Sequence, residues 1–310
     1  MTMRIALLTS DYPPDVIGGA GVSCSLLARH LRHRGLHVDV FAFVGRDAKA
    51  EREHPTSAGN DYYLRRPPNV LALNVAAAYR LRGRVRDYDV VHACDAVLMP
   101  ACRTLAPRTR GACVATLNNL RAACFTPELS LKEDCYRHGW LKSLRCVFAN
   151  PEPSSRFRGL LYTHPAFHLA NYLSRGLALY IALSEDVQRH YVGAGFPEER
   201  IVVIPNMLDE DLFWPPRGPT PGADADAMRV VLYVGQLDHR KGVLDLVQAY
   251  ARLPAHVRET TTLRFLGRGK DEAPIRAAAA RCGIEGRVEI RHCPYQRLPQ
   301  EYRRAHVFVA

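Results

Sequence analysis

The protein has 310 residues, 47% of them hydrophobic, which is enough to bury a large core and fits two α/β domains better than one. Its formal charge of +11 favours anionic partners such as nucleotide phosphates or acidic lipids, although an arginine-biased composition without a specific partner gives the same charge. The sequence has neither zinc-finger spacing nor a basic run interleaved with aromatic residues, and we therefore expect no nucleic-acid partner.

The cysteines and the apolar runs bear on the cellular compartment. Nine cysteines, an odd number, are scattered through apolar segments such as Ala112–Leu117, which is typical of reduced thiols rather than of a disulfide framework. The first apolar run, Ile5–Leu8, is too short for a signal peptide, and no run approaches the roughly 18 residues of a membrane span. We therefore expect a cytoplasmic protein.

Short apolar runs alternate with helical periodicity from the start of the chain, a pattern that predicts βα units and a mostly parallel sheet. A first strand is predicted over Ile5–Ser10, followed by a helix through Val22–Leu31 that ends at Gly35. A second strand follows at His37–Val44. Further strands are predicted at Asp89–Ala93, Cys113–Leu117, Leu179–Leu183 and Ile201–Ile204, with Ser184 as the N-cap of a helix.

Residues 214–227 are dense in proline and glycine and lack periodicity, so we interpret them as a linker between domains 1–213 and 228–310. Segment 228–310 is shorter than the about 100 to 150 residues common for a domain, and we expect the second domain to be incomplete. Its strands are predicted at Val230–Val234, Leu263–Leu266, Val288–Arg291 and Val307–Ala310, and its helices at Val243–Leu253, Pro274–Cys282 and Pro299–Arg304.

Two loops at the predicted carboxyl ends of strands carry a chemical signal, because ligands of open α/β sheets bind at that edge. Glycines 18, 19 and 21 precede a helix, where backbone N–H groups can bind an anion; a tight turn without a ligand is the alternative. Lys241, in the loop Gly235–Gly242, precedes another helix start, where a cation is unfavourable unless an anion joins it; a solvated lysine is the alternative. The dinucleotide fingerprint G-x-G-x-x-G is absent.

At these residues the chain resembles family 4 of the retaining glycosyltransferases, which have the GT-B fold. The resemblance extends over nearly the whole chain except from about residue 121 to 175, and it depends on the order and spacing of four segments. They are Pro13-Pro14 with Gly18-Gly19 and the helix to Gly35, then Asp89-Val90-Val91-His92, then Ala182-Leu183-Ser184 through Ile204-Pro205-Asn206 to Asp209, and finally Gly235–Gly242 with its helix.

The resemblance implies two Rossmann-like α/β domains with a cleft between them, an N-terminal acceptor-binding domain and a C-terminal nucleotide-sugar-binding domain. It implies transfer of a sugar, with retention, from a nucleotide diphosphate donor to a glycan, a lipid-linked sugar or a small molecule, without a cofactor or metal. The donor-binding residues that it implies are Gly18, Gly19, Gln236, Lys241 and Gly267. Lys241 matches the basic pair that holds the donor diphosphate in relatives, whereas Gln236 lacks the charge of its counterpart.

Two residues are candidates for contacts at the reacting sugar. Relatives commonly place a histidine after the strand that ends at Leu117, and this chain has Asn118, which can hydrogen-bond a hydroxyl but cannot take a proton at neutral pH. His92, at the end of the preceding strand, is a possible catalytic substitute, and a buried structural histidine is the alternative.

The middle of the chain carries two weaker signals. Cys124, Cys135 and Cys146 resemble a cysteine-rich insertion of some relatives; His138 would complete a zinc site, and buried reduced thiols are the alternative. Segment Arg156–Leu173 mixes aromatic and basic residues and would suit a lipid-linked acceptor or the inner membrane surface, or else form a core helix with a solvated basic face.

Three functional hypotheses follow. The first is a nucleotide-sugar-dependent glycosyltransferase. The second is a non-catalytic GT-B protein that binds a sugar or a partner, which Gln236, Asn118 and the short second domain favour. The third, a nicotinamide-dependent oxidoreductase, is weakened because the dinucleotide fingerprint is missing.

Overall fold

A computed structural model of the chain divides it into two compact units, Met1–Met207 and Leu208–Ala310. The predicted linker, the three cysteines of the predicted insertion and His138 lie outside the residues that the structure describes. The described residues are 2–14, 18–45, 51–120, 122–123, 144, 164–213 and 228–310.

The first unit is built on a sheet whose described strands run in the order β3-β4-β2-β1-β5-β6-β7-β8. All neighbours pair in parallel except β3 and β4, which form an antiparallel hairpin. The strands are β1 Arg4–Thr9, β2 His37–Gly45, β3 Arg52–Thr56, β4 Gly59–Arg65, β5 Val90–Ala93, β6 Ala112–Leu117, β7 Leu179–Ala182 and β8 Ile201–Val203. The helices are α1 Gly19–His33, α2 Val70–Leu81, α3 Met99–Leu105, α4 His164–Ser174 and α5 Glu185–Gly193.

Both faces of this sheet are buried. On one face, Leu7 and Val40 belong to a core that includes Ala28 of α1. On the other, Leu8 and Phe41 belong to a larger core that includes residues of α2, α3 and α5. Each fully buried leucine or phenylalanine contributes about 1.5–3 kcal/mol. Because helices cover both faces, the central strands β1, β2, β5, β6 and β7 are largely apolar runs, as is typical of a parallel sheet.

The second unit has a smaller, all-parallel sheet in the order β11-β10-β9-β12. Its main core includes Val243 and Val247 on one helix and Ile275 on another. The elements are α6 Glu210–Phe213, β9 Arg229–Val234, α7 Val243–Ala251, α8 Ala255–Glu259, β10 Thr261–Leu266, α9 Glu272–Arg281, β11 Val288–Arg291, α10 Leu298–Arg304 and β12 Val307–Val309. Since the strands are parallel, the loops that follow β9 and β10 lie side by side at one edge.

The predicted strands and helices are confirmed, with ends that shift by a few residues. Gly35 follows α1 with a left-handed φ of 79°, and the Ser184 side chain caps α5 by accepting from Val187 N at 3.2 Å. The hairpin β3–β4 and the helices α2, α3, α6 and α8 were not predicted. In β3 the sequence is polar, contains Pro55 and is largely exposed, so it lacks the apolar alternation that indicates a strand.

Helix α4 is the described part of the segment predicted to face a lipid-linked acceptor or the membrane. Leu169 is 57% exposed and Tyr172 is 72% exposed, whereas Asn171 between them is buried and donates to the carbonyl oxygen of Ala122 at 2.7 Å. In the described part of the chain, no helix combines the length and apolarity that a bilayer span requires.

Candidate functional site

The loops that follow β9 and β10 are fastened to each other through their backbones. The Leu237 N–H donates to the carbonyl oxygen of Arg268 at 2.9 Å, which continues the pairing of the two strands past their ends. A Cβ added at Gly267 would lie 1.8 Å from the carbonyl oxygen of Gly235, and one added at Gly269 would lie 2.0 Å from that of Leu237. The close approach of the two loops therefore requires glycine at both positions.

The loop after β9 ends in a 3-10 turn, His239–Lys241, that leads into α7. Gly242 joins the turn to the helix with a left-handed φ of 69°, a conformation that glycine adopts without strain. Lys241 is exposed at this junction, and among the described residues its ammonium group forms no ion pair. The helix start thus combines free backbone N–H groups with an unneutralised cation, which favours an anion there.

Asp238 organises the positive charge around these loops. Its side chain is buried, with 3% of the residue exposed, and its Oδ1 and Oδ2 accept from Nε and Nη2 of Arg240, both at 2.7 Å. Lys270, from the loop after β10, places its Nζ 3.5 Å from Oδ2. The Arg240 guanidinium holds the pKa of Asp238 well below its usual range, so the carboxylate stays ionised at neutral pH.

Asp238, His239 and Asp271 bring three potential metal-ligand atoms within 4.8 Å of one another. Asp238 is already bound by Arg240, and Asp271 accepts from the backbone N–H of His239 and lies 3.2 Å from its Nδ1. These carboxylates neutralise groups of the chain itself, and Arg240 and Lys270 add positive charge beside them. The cluster is an ion-pair network that disfavours a further cation.

Three of the predicted donor-binding residues, Gln236, Lys241 and Gly267, lie together in these two loops. The Gln236 side chain is exposed, while its carbonyl oxygen accepts from the Tyr233 hydroxyl at 3.0 Å. The loop backbone is thereby held in place, and the amide of Gln236 extends toward solvent without a charge.

The other two predicted donor-binding residues, Gly18 and Gly19, lie at the start of α1 in the first unit. The Gly18 N–H donates to Oδ2 of Asp11 at 2.9 Å. A Cβ at Gly21 would lie 2.8 Å from Cγ of Asp11, so glycine there lets the helix close on this carboxylate. At the Gly18 N–H, the anion expected at this helix start is therefore supplied by the chain itself.

His92, one of the two predicted catalytic residues, lies on β5, and the other, Asn118, directly follows the neighbouring strand β6. The Asn118 Nδ2 donates to the carbonyl oxygen of Cys94 at 3.1 Å, which joins the ends of β5 and β6. The His92 Nε2 forms a hydrogen bond of 2.8 Å with Oγ1 of Thr116, and the residue is only 7% exposed. Burial lowers the pKa of His92 to about 4, so its imidazole is neutral at pH 7.

Asp95 holds the same edge together and was not predicted from the sequence. It is 3% exposed, and its carboxylate accepts from Ser10 N at 2.7 Å and from Val97 N at 3.1 Å. It therefore ties the loop after β1 to the loop after β5, and burial raises the pKa of its carboxyl group. The available signal was an aspartate two residues after a predicted strand, a residue type that favours the N-cap position, where Asp95 caps the 3-10 turn Ala96–Leu98.

With this geometry established, sequence comparison identifies the family. The profile described as Glycosyltransferase Family 4 matches residues 17–212, which is most of the first unit. The chain belongs to glycosyltransferase family 4. A second profile, described as Glycosyl transferases group 1, matches residues 223–310 of this family 4 chain, including both interlocked loops.

Two curated relatives match this family 4 chain. An uncharacterized glycosyltransferase of Methanocaldococcus jannaschii is 26% identical over 270 residues, which cover 81% of the chain and 60% of the relative. A D-inositol 3-phosphate glycosyltransferase of Xylanimonas cellulosilytica is 33% identical over 136 residues, which cover 40% of the chain and 31% of the relative. The chain thus spans 60% or less of the length of these relatives.

Solved structures show the fold. Sucrose-phosphate synthase from Thermosynechococcus elongatus matches with a TM-score of 0.69 and 19% identity, covering 99% of this chain and 74% of that one. HepE of Anabaena, solved in complex with UDP-glucose, matches with a TM-score of 0.63 and 18% identity, covering 99% and 73%. The predicted GT-B fold, with two Rossmann-like α/β units, is confirmed.

Proposed function

We propose that this protein transfers a sugar from a nucleoside diphosphate donor to an acceptor hydroxyl, with retention of configuration. The observation that carries the proposal is the loop Gly235–Gly242, in which Lys241 is exposed at the start of α7 and forms no ion pair with a described residue. This loop lies within the segment that matches the glycosyltransferase profile. Retention is proposed because the chain resembles a retaining family.

The chemistry of the donor explains why such a loop suits it. When the bond between sugar and diphosphate breaks, negative charge develops on the leaving diphosphate, and preorganised donors aimed at that charge lower the barrier. Lys241 and the backbone N–H groups at the start of α7 would supply such donors. HepE of Anabaena has been solved with UDP and with UDP-glucose, which supports a nucleotide sugar as the donor class.

We further propose that unit 2 binds the donor and that the edge of the first sheet binds the acceptor, with 214–227 as the linker. Gly19 and Asn118 would then contribute polar contacts to sugar hydroxyls, because the Asn118 amide can both donate and accept. A role for His92 would use the neutral imidazole, the form that burial favours at pH 7.

The acceptor side supports a proposal about location. Leu169 and Tyr172 project from α4 with large exposed fractions, which would suit a lipid-linked acceptor at the inner membrane surface. Cys24, Cys94, Cys102 and Cys113 are free and buried, as expected of a protein that works in the cytoplasm.

The alternative function is a non-catalytic protein of the same fold that binds a sugar or a partner. Two observations favour it: Gln236 carries no charge, and the Gly18 N–H is already bound to Asp11. It predicts binding of nucleoside diphosphates or sugars without turnover.

The test separates these functions. Calorimetry of the purified protein with UDP, GDP and ADP measures binding, and release of nucleoside diphosphate from the corresponding sugar donors, with a panel of sugar and lipid-linked acceptors, measures turnover. Acceptor-dependent release supports the transferase. Binding without release from any donor supports the alternative, and the absence of both contradicts a donor site in this chain.

A further inference from the structure

The two interlocked loops carry four cationic side chains that fall into two pairs. Arg240 and Lys270 are both paired with Asp238, which accepts two bonds from the Arg240 guanidinium and lies 3.5 Å from the Lys270 ammonium. Lys241 and Arg268 are exposed, and neither forms an ion pair with a described residue. The buried carboxylate thus engages one cation of each loop and leaves the other cation of each loop available.

Arg268 is fixed close to the uncharged Gln236. Its carbonyl oxygen accepts from the N–H of Leu237 at 2.9 Å, so the backbone of Arg268 lies directly beside the residue that follows Gln236. Gly267 and Gly269 flank it, and each lies where a Cβ would collide with the neighbouring loop. The position of Arg268 is therefore determined by the pairing of the two loops.

Two exposed cations that no described residue pairs with, one on each of two adjacent loops, raise the local positive potential and so favour an anion there. A pyrophosphate carries several negative charges and presents oxygens to which a guanidinium can donate two parallel hydrogen bonds. Gln236 cannot supply a charge to such a ligand, and Arg240 is occupied by Asp238. Lys241 and Arg268 are the arginine and lysine side chains of these loops that form no ion pair with a described residue.

We propose that Arg268 is a donor-binding residue that contacts the pyrophosphate of the nucleoside diphosphate together with Lys241. It supplies from the loop after β10 the second positive charge that Gln236 does not supply from the loop after β9. The inference rests on the proposed function, because it assumes that a nucleoside diphosphate binds at this edge of unit 2.

The experiment is calorimetry of the purified protein with UDP, GDP and ADP at low and moderate salt. Arg268→Gln should weaken binding by about tenfold or more, since a hydrogen bond to a charged group is lost, and the salt dependence of binding should decrease. The matched control is Arg252→Gln, an exposed arginine at the opposite end of α7, which should change the dissociation constant less than twofold, roughly the effect of a remote surface charge.

Two further variants test charge rather than shape. Arg268→Lys keeps the charge and should lose less affinity than Arg268→Gln. The exchange variant Gln236→Arg with Arg268→Gln returns the second charge from the other loop and should recover binding to within about threefold of the unmodified protein. Equal thermal unfolding of the variants would verify that the loops remain folded.

The outcomes distinguish this inference from the function on which it rests. If the unmodified protein binds none of the three nucleotides, the proposed donor site fails. If it binds one and Lys241→Ala weakens that binding while Arg268→Gln behaves like Arg252→Gln, the role of Arg268 is overturned and the proposed function stands. Weaker binding by Arg268→Gln with recovery in the exchange variant supports the inference.

Discussion

The carboxyl edges of the two sheets differ in whether their charged groups are paired within the chain. At the edge of the first sheet, Asp11 accepts from the Gly18 N–H and Asp95 accepts from Ser10 N, so loop N–H groups are satisfied by carboxylates of the chain. At the edge of the second sheet, Lys241 and Arg268 carry charge that no described residue neutralises. The comparison suggests that the first edge is built mainly for rigidity, whereas the second gains energy from an external anion.

The sharpest test of this comparison is Lys241→Ala, which removes an unneutralised cation from the second edge. Turnover of a nucleotide sugar should fall roughly 100-fold or more, because a preorganised charge at the leaving group is lost. Thermal unfolding should hardly change, since Lys241 is exposed and forms no ion pair within the described part of the chain. Steady-state kinetics of Lys241→Ala would measure this loss, with Arg252→Ala as the control. Equal turnover by the two variants would contradict the role of Lys241 at the leaving group.

A large effect on the first unit is expected from the pH dependence of His92. Its pKa is about 4 in the folded protein and about 6.5 in an unfolded chain, so the unfolded state binds the proton first as pH falls. The free energy of unfolding is therefore highest above about pH 6.5. It decreases progressively toward pH 4, by up to about 3 kcal/mol, because the unfolded chain takes up the proton more readily.

Urea unfolding between pH 4 and pH 7 would measure this loss. His92→Gln should flatten the pH dependence over that range, and His54→Gln, which removes an exposed histidine of the same unit, should leave it unchanged. An unaltered profile in His92→Gln would mean that His92 does not titrate as its burial requires.

Gly267→Ala tests the close approach of the loops that follow β9 and β10. The added Cβ would lie 1.8 Å from the carbonyl oxygen of Gly235, so we expect a loss of about 2 kcal/mol in unfolding free energy, together with weaker nucleotide binding. Gly286→Ala is the control, because no described residue other than its chain neighbours has an atom within 4 Å of its Cβ position. Thermal denaturation that ranks the two variants equally would argue against the interlocked loops.

The smallest expected effect concerns the Asp11 carboxylate, which binds the Gly18 N–H at the carboxyl edge of the first sheet. Asp11→Ala should reduce the unfolding free energy by about 1 kcal/mol, the usual cost of losing a cap, and should leave nucleotide binding intact. Asp87→Ala, which removes an exposed carboxylate of the same unit, serves as the reference. A loss of nucleotide affinity in Asp11→Ala alone would mean that the first edge contributes to the donor site after all.

The sequence was informative wherever the signal was local. Periodicity indicated the strands from β1 to β12 apart from β3 and β4, because parallel strands buried on both faces are apolar runs. It did not indicate the hairpin β3–β4, whose strand Arg52–Thr56 is polar and pairs at the edge of the sheet. Edge strands require less apolar sequence, since they bury less surface.

The site residues divide in the same way. The glycines and Lys241 could be selected from the sequence because a glycine-rich loop before a helix start is a short-range pattern. Asp238, in the same loop, was passed over because its importance comes from Lys270, which reaches it from a different loop. Asp95 was passed over for the same reason, since Ser10 lies in the loop after another strand. Asp11 was passed over because its partner, the Gly18 N–H, reaches it only once the loop after β1 has folded.

The sequence by itself determined the alternation of strands and helices, the family resemblance and the loops at which an anion is favoured, because these depend on neighbours along the chain. The tertiary structure decided which charges remain available. Asp238, which is buried between the two loops, pairs with Arg240 and Lys270, whereas Lys241 and Arg268 stay exposed and form no ion pair with a described residue. Whether a charged side chain is paired depends on the groups that surround it, and these come together only when the two loops fold against each other.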